Sequence, residues 1–131
     1  MNNRYIFRGK RTDNGKWEYG LLARYNPQFE TANLIDGYEL LIPVKTETVG
    51  QHTGLTDKNG KKIFEGDIVR TKYYGKLIRG RNVADYDIFK VVYAYAMYKA
   101  ENKNREFNLV YGERYEIIGN IHDNPDLLEA E

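Results

Sequence analysis

Few residues in this sequence are equipped for chemistry, and their spacing limits what they could do. With no cysteine there is no thiolate nucleophile, no thiolate metal site and no disulfide. His52 and His122 are the two histidines. A metal site would need both, joined by a carboxylate such as Asp67 or Asp123, and nothing in the spacing brings them together. Asp123 adjoins His122, but neighbouring residues of a strand point to opposite faces, so the pair makes a poor general base. Glu65 and Asp67 flank Gly66 in EGDIV, a compact and charged stretch that resembles an active-site motif. The simpler account makes Gly66 the turn, Asp67 an acceptor for a nearby backbone N–H, and Ile68 and Val69 core residues. No second acid is placed to form a dyad with either carboxylate. DKNGK, from Asp57 to Lys61, has the look of a calcium loop. Its Gly60 stands fourth where an EF-hand needs glycine sixth, and Ile68 falls where the bidentate Glu should be. Neither GxxxxGK[ST] nor GxGxxG occurs, so no glycine loop cradles a phosphate. The expectation is a protein that is not an enzyme, with no catalytic residue, no metal site and no cofactor.

The stretch from residue 68 to 84, IVRTKYYGKLIRGRNVA, has a different character. It holds Arg70, Lys72, Lys76, Arg79 and Arg81 without an acid, interleaved with Tyr73 and Tyr74. Cations that neutralise phosphates beside rings that stack on bases are the combination used for single-stranded nucleic acid on small barrels. These seven residues are the candidate nucleic-acid surface. Two features oppose it: on a strand Arg70 and Lys72 share a face that Tyr73 does not, and Asp85 and Asp87 follow at once. A solvated loop or hairpin is the simpler reading. The net charge of +1 supplies no global field toward nucleic acid or an anionic membrane.

The elements that would position these residues read mainly as strands. RYIFRGKR alternates Tyr5 and Phe7 with Arg4, Ile6 and Arg8, and TDNG follows as turn chemistry. Asn14-Gly15 predicts a type I′ hairpin, in which both central residues take positive φ. KWEYGLLARY returns as a second strand with Trp17, Tyr19 and Leu21 on one face. Residues 26–40 read as an irregular excursion or a short helix. LLIPV is a strand whose Pro43 marks an edge or an end. Asn59-Gly60 predicts another tight turn, and DIVRTKYY another strand. KVVYAYAMY, from Lys90 to Tyr98, reads as one strand buried on both sides. AENKNRE is a polar turn, and FNLVYGERYEIIGNI supplies one or two closing strands. Asn124, Pro125 and Asp126 then stand in order for a short helix docking by Leu127 and Leu128. At 131 residues and 14% aromatic, the chain can bury a core without disulfides. MNNRYIFRGKR holds no apolar signal segment, and no apolar run approaches the roughly eighteen residues of a membrane helix, so a soluble cytoplasmic protein without a membrane partner is expected.

The phrase TDNGK near the start is echoed by TDKNGK from Thr56 to Lys61, and two hairpin tips under the same turn constraints explain the echo. Its surroundings carry a resemblance. FRGKRTDNGKWEYG, VGQHTGLTDKNGKKIFEGDIV and EIIGNIHDNPDLLE resemble, in order and approximate spacing, the three signature blocks of the YopX family, small proteins of phages and prophages of mainly Gram-positive bacteria. The stretch from Tyr73 to Tyr111 shows no such signature. The resemblance implies a mainly β protein with a small SH3-like barrel in its C-terminal part, a multimeric assembly and no enzymatic activity. Together with the residue-level reading it gives one compact unit over 1–131, divisible into an N-terminal β region over 1–45 and an SH3-like barrel region over 46–131 with a short C-terminal helix. The expected role is protein interaction or self-assembly in the bacterial host cell, as a homo-oligomer or with a phage or host protein. The alternative is a nucleic-acid-binding small barrel using 68–84.

Overall fold

The computed structural model describes residues 6–35 and 41–129, with backbone alone for 73–78, 81–85 and 129. It divides into two compact units, residues 1–54 and 55–131. Arg4 and Tyr5 of the predicted first strand, and residues 36–40 of the predicted irregular excursion, lie outside the described residues.

The first unit is built from β1 (Phe7–Lys10), β2 (Trp17–Arg24), β3 (Thr31–Ile35), β4 (Leu41–Lys45) and β5 (Gly50–Thr56), the last of which runs on past the unit's boundary. With β6 (Lys62–Phe64) they form an antiparallel sheet in the order β4-β3-β2-β1-β5-β6. Alternation sets the core: Ala32 and Leu34 of β3 and Ile42 and Val44 of β4 are buried, with Phe7, Leu22 and Val49 packed against them. The sheet curls back on itself. Arg11 bridges to Val44, and the Thr12 N–H donates to the Pro43 carbonyl at 3.2 Å. The approach is close enough that a Cβ on Gly9 would stand 2.8 Å from Val44 Cγ2, so this position admits only glycine without a shift. Pro43 sits on an edge strand, as its missing donor requires.

One expectation is borne out here and another changes. Trp17, Tyr19 and Leu21 do share a face, but it is the outer one, with Tyr19 52% and Leu21 55% exposed. The register that sets Leu22 opposite Leu34 turns Leu22 to the core and its neighbours outward. Arg8 covers Trp17 with its guanidinium 4.7 Å from the ring centroid. The stretch read as irregular or helical holds a turn, in which Asn26 Oδ1 accepts the Gln28 N–H, and then strand β3.

The second unit contains β7 (Asp67–Ile78), β8 (Arg81–Ala94), β9 (Met97–Glu101), β10 (Glu106–Asn108), β11 (Glu116–Asn120) and α1 (Asp126–Glu129). Its antiparallel sheet has the order β10-β9-β8-β7-β11. Ile63, Val69, Phe89, Val91, Ala100, Leu109 and Tyr115 make the core, where Phe89 meets Phe107 and Tyr115 edge to face at 5.8 and 6.3 Å. The EGD reading holds as a turn: Gly66 has φ 92°, Asp67 Oδ2 accepts the Phe64 N–H at 2.7 Å, and Ile68 and Val69 are fully buried.

The implied SH3-like barrel is corrected to an open sheet. Its end strands, β10 and β11, each pair on one side and do not meet. β10 is three residues long and its one apolar side chain, Phe107, already packs on Phe89 of its own sheet, so little is left to bury by closing onto β11. KVVYAYAMY is likewise corrected from one strand to two. The chain reverses at Tyr95 and Ala96, with φ 54° and 64°. This fold-back sets Val91 opposite the buried Ala100 and packs Tyr93 against Tyr98, the tilted rings 4.9 Å apart at their centroids. Those cross-strand contacts offset a turn that neither residue favours.

The echoed phrases turn out as two different loops. Around the first, the Arg11 N–H bonds the Lys16 carbonyl and the Gly15 N–H bonds Arg11, enclosing four residues. Around the second, the Asp57 N–H bonds Lys61 and the Gly60 N–H bonds Asp57, enclosing three. In both loops only the glycine takes positive φ, 71° at Gly15 and 81° at Gly60, so the first is not the expected type I′ turn with its positive-φ Asn, while the second is the tight turn expected there.

Candidate interaction surfaces

The β7–β8 hairpin gathers the seven cationic and tyrosine candidates, and then separates them by role. Arg70 is already engaged: its Nε lies 2.6 Å from Glu116 Oε1, and its guanidinium stacks 4.3 Å from the Tyr86 ring centroid. The Arg70 hydrogen bond, aided by Lys58, holds the Glu116 carboxyl below its usual range against the opposing effect of desolvation. Lys72 is exposed and paired in register with Tyr86. Further out, Tyr73 stands opposite Asp85, Lys76 opposite Val83 and Arg81 opposite Ile78, with Tyr74 in a one-residue register slip between Tyr73 and Lys76. Arg79 and Gly80 close the hairpin with φ 53° and 77°. The RGRN stretch is therefore the tip of a ribbon.

That ribbon outruns its neighbours. β11 pairs with β7 only as far as Arg70, and β9 pairs with β8 only from Lys90 onward. Between those points and the tip, the hairpin is two strands wide within its sheet. On the broad part of the sheet, charges are matched across strands: Lys90 with Glu101 at 3.7 Å and Lys99 with Glu106 at 3.4 Å, beside the Arg70–Glu116 pair.

A second surface was not visible in the sequence. The β8–β9 turn holds Tyr95 91% exposed, with Tyr93 and Met97 also exposed on the two strands and Lys99 Nζ 5.4 Å from the Tyr95 ring. The only signal was negative, a YAYA run without the Asn or Gly such a turn normally uses.

In the first unit, the Asn26–Phe29 turn and the Thr46–Thr48 single 3-10 turn enclose an open cleft of about 770 Å³, with Tyr25, Phe29, Glu30, Lys45, Thr46 and Glu47 among its walls. Thr46 is buried, its N–H donates to the Glu30 carbonyl at 2.9 Å, and its hydroxyl meets no hydrogen-bond partner among the described residues.

The remaining ionisable candidates are structural in their contacts. Burial would raise the Asp57 carboxyl, but backbone N–H groups of Ile117, Lys61 and Asn59, at 3.0, 2.9 and 2.9 Å, together with the Lys61 charge, outweigh it and hold the group below its usual range. His52 is buried, with its N–H on the Ile6 carbonyl, and the His122 N–H donates to Asn120 Oδ1. Among the described residues, no three His, Asp or Glu side chains converge as metal ligands would. No helix among them is long and apolar enough to cross a membrane.

Comparison with protein families adds one match, to the YopX protein family over residues 6–129. The chain belongs to the YopX family. The match spans nearly the whole chain and includes the Tyr73–Tyr111 stretch, where the sequence alone offered no signature block. No curated protein matches the chain.

Proposed function

We propose that this YopX-family protein is a non-enzymatic, phage- or prophage-encoded module that binds a second copy of itself or a phage or host protein in the bacterial cytoplasm. The observation that carries this reading is the β8–β9 turn, which holds Tyr95 in the left-handed region and 91% exposed. Backbone strain kept at a solvent-facing aromatic is the pattern of a contact site, where large rigid rings contribute most of the binding energy. Sedimentation velocity across micromolar concentrations tests self-association. A mass above one chain that collapses in Tyr93→Ser/Tyr95→Ser supports it, and a one-chain mass throughout refutes it. For a different protein partner, a photo-crosslinking residue at position 95 in phage-bearing cells should give a discrete adduct, and its absence refutes that form.

A second reading, nucleic-acid binding, is favoured by one observation. The cations of residues 72–81 lie on a hairpin that extends past its neighbouring strands to an exposed Arg79.

A further inference from the structure

We propose that the β7–β8 ribbon is an arm that enters the major groove of double-stranded DNA. The inference rests on the nucleic-acid reading and replaces its single-stranded substrate with a duplex.

Single-strand platforms lay a backbone across a broad sheet whose rings stack on bases. The broad part of this sheet is poorly suited to that, because Arg70, Lys90 and Lys99 on it are each matched by a carboxylate, from Glu116, Glu101 and Glu106. The net positive charge lies further out. Lys76, Arg79 and Arg81 fall within six residues that include no acid. Of the acids nearer the base, Asp85 stands opposite Tyr73 and Asp87 is engaged by Arg105 at 2.9 Å.

The ribbon also has the right dimensions. From Thr71 to Ile78 it extends about 25 Å at the usual strand rise, and its two strands lie about 4.8 Å apart. The major groove of B-form DNA, about 12 Å wide and 8.5 Å deep, admits a two-stranded ribbon. The deep, narrow major groove of an RNA duplex does not. A two-stranded hairpin extending beyond its sheet is marginal in water and gains by lying against a partner. The tip agrees with this use. Arg79 takes φ 53°, a conformation Asn or Gly would adopt at less cost, so a cation is kept where the turn alone would select against it.

The test is fluorescence anisotropy of the full chain with a labelled DNA duplex, either of its single strands, and an RNA duplex of the same sequence. Three phosphate contacts give a log–log salt slope of about −2.7, hence roughly 40-fold weaker binding at 200 mM than at 50 mM salt. The arm variant Lys76→Glu/Arg79→Glu/Arg81→Glu should abolish duplex binding. The charge-matched Lys16→Glu/Lys45→Glu/Lys103→Glu should retain it. Arg79→Asn, which suits the turn and removes one charge, should fold as the parent does and flatten the slope by about 0.9. Single-stranded DNA or RNA duplex bound as tightly as DNA duplex would overturn the groove arm while leaving the nucleic-acid reading in place. Equal loss in both triple variants would also overturn the arm. No binding to any of the four probes at low salt would overturn both.

Discussion

Replacing Tyr95 with Asn and Ala96 with Gly would rewrite the β8–β9 turn in the residues its backbone favours. Both positions hold positive φ, 54° and 64°, and an ordinary L residue there costs about 1–2 kcal/mol. Asn recovers part of that cost. Gly recovers nearly all of it but returns about 0.5–1 kcal/mol through the greater freedom of the unfolded chain. Little packing is lost, since Tyr95 is 91% exposed and its contact with Lys99 at 5.4 Å is worth about 0.5 kcal/mol. The sum is a gain of about 1 kcal/mol, which for a domain of this size raises Tm by about 4 °C. Thermal unfolding by circular dichroism and urea unfolding should agree on that gain. If the module docks through this tip, association should weaken in the same variant, so stability and binding move in opposite directions. A fall in Tm would refute the strain argument, because it would mean the Tyr side chain holds the turn together. Higher stability with unchanged association would keep the strain and discard the tip as the contact.

Asp57→Asn should cost about 2–4 kcal/mol in urea unfolding, because an amide N–H₂ would face the Ile117 N–H in place of an acceptor. The native Asp57 carboxyl titrates below its ordinary value of 3.8, so its stabilisation is complete above that pH and is lost as pH falls through the lower native value. Acid unfolding followed by circular dichroism should accordingly be steeper in the parent than in Asp57→Asn. Gly9→Ala should cost about 1–3 kcal/mol, and adding Val44→Ala should cost less than the sum of the two single changes, as measured by a double-mutant cycle. Thr46→Val exchanges a buried hydroxyl without a partner among the described residues for a methyl of the same shape, and should leave urea stability unchanged or raise it by up to about 1 kcal/mol.

Local chemistry was legible in the sequence where one or two residues decide the backbone. The Gly66 turn, the Asp67 acceptor, Pro43 on an edge strand and the positions of the two NG loops could all be read directly. Where distant partners decide, the sequence was silent. Period two put Trp17, Tyr19 and Leu21 on one face, but whether that face points in depends on Leu22 meeting Leu34. The Tyr95-Ala96 reversal is imposed by Val91 and Tyr93 pairing with Ala100 and Tyr98, against the preference of the turn residues themselves. The cationic candidates were visible as a run. Arg70 could be set apart from them only once Glu116, far along the chain, was seen at its side. The absence of barrel closure depends on β10 being three residues long with its Phe107 already packed on Phe89, a property of the sheet as a whole.

Asp57 also constrains the order of events during synthesis. Asp57 is 3% exposed, and one of the three backbone donors to its carboxylate, Ile117, follows 60 residues later. The Lys58 N–H likewise waits for the Tyr115 carbonyl. Until that last strand has left the ribosome, the nascent second unit would have to bury a charge lacking part of its compensation, so it stays open. Apart from that of β5 with β6, the pairings of the first unit's sheet lie within residues 7–51, and nothing in them requires such a delay. The two halves of the chain are thus set to become native at different times, and an arrest of translation before residue 117 would release a folded first unit attached to an unfolded second.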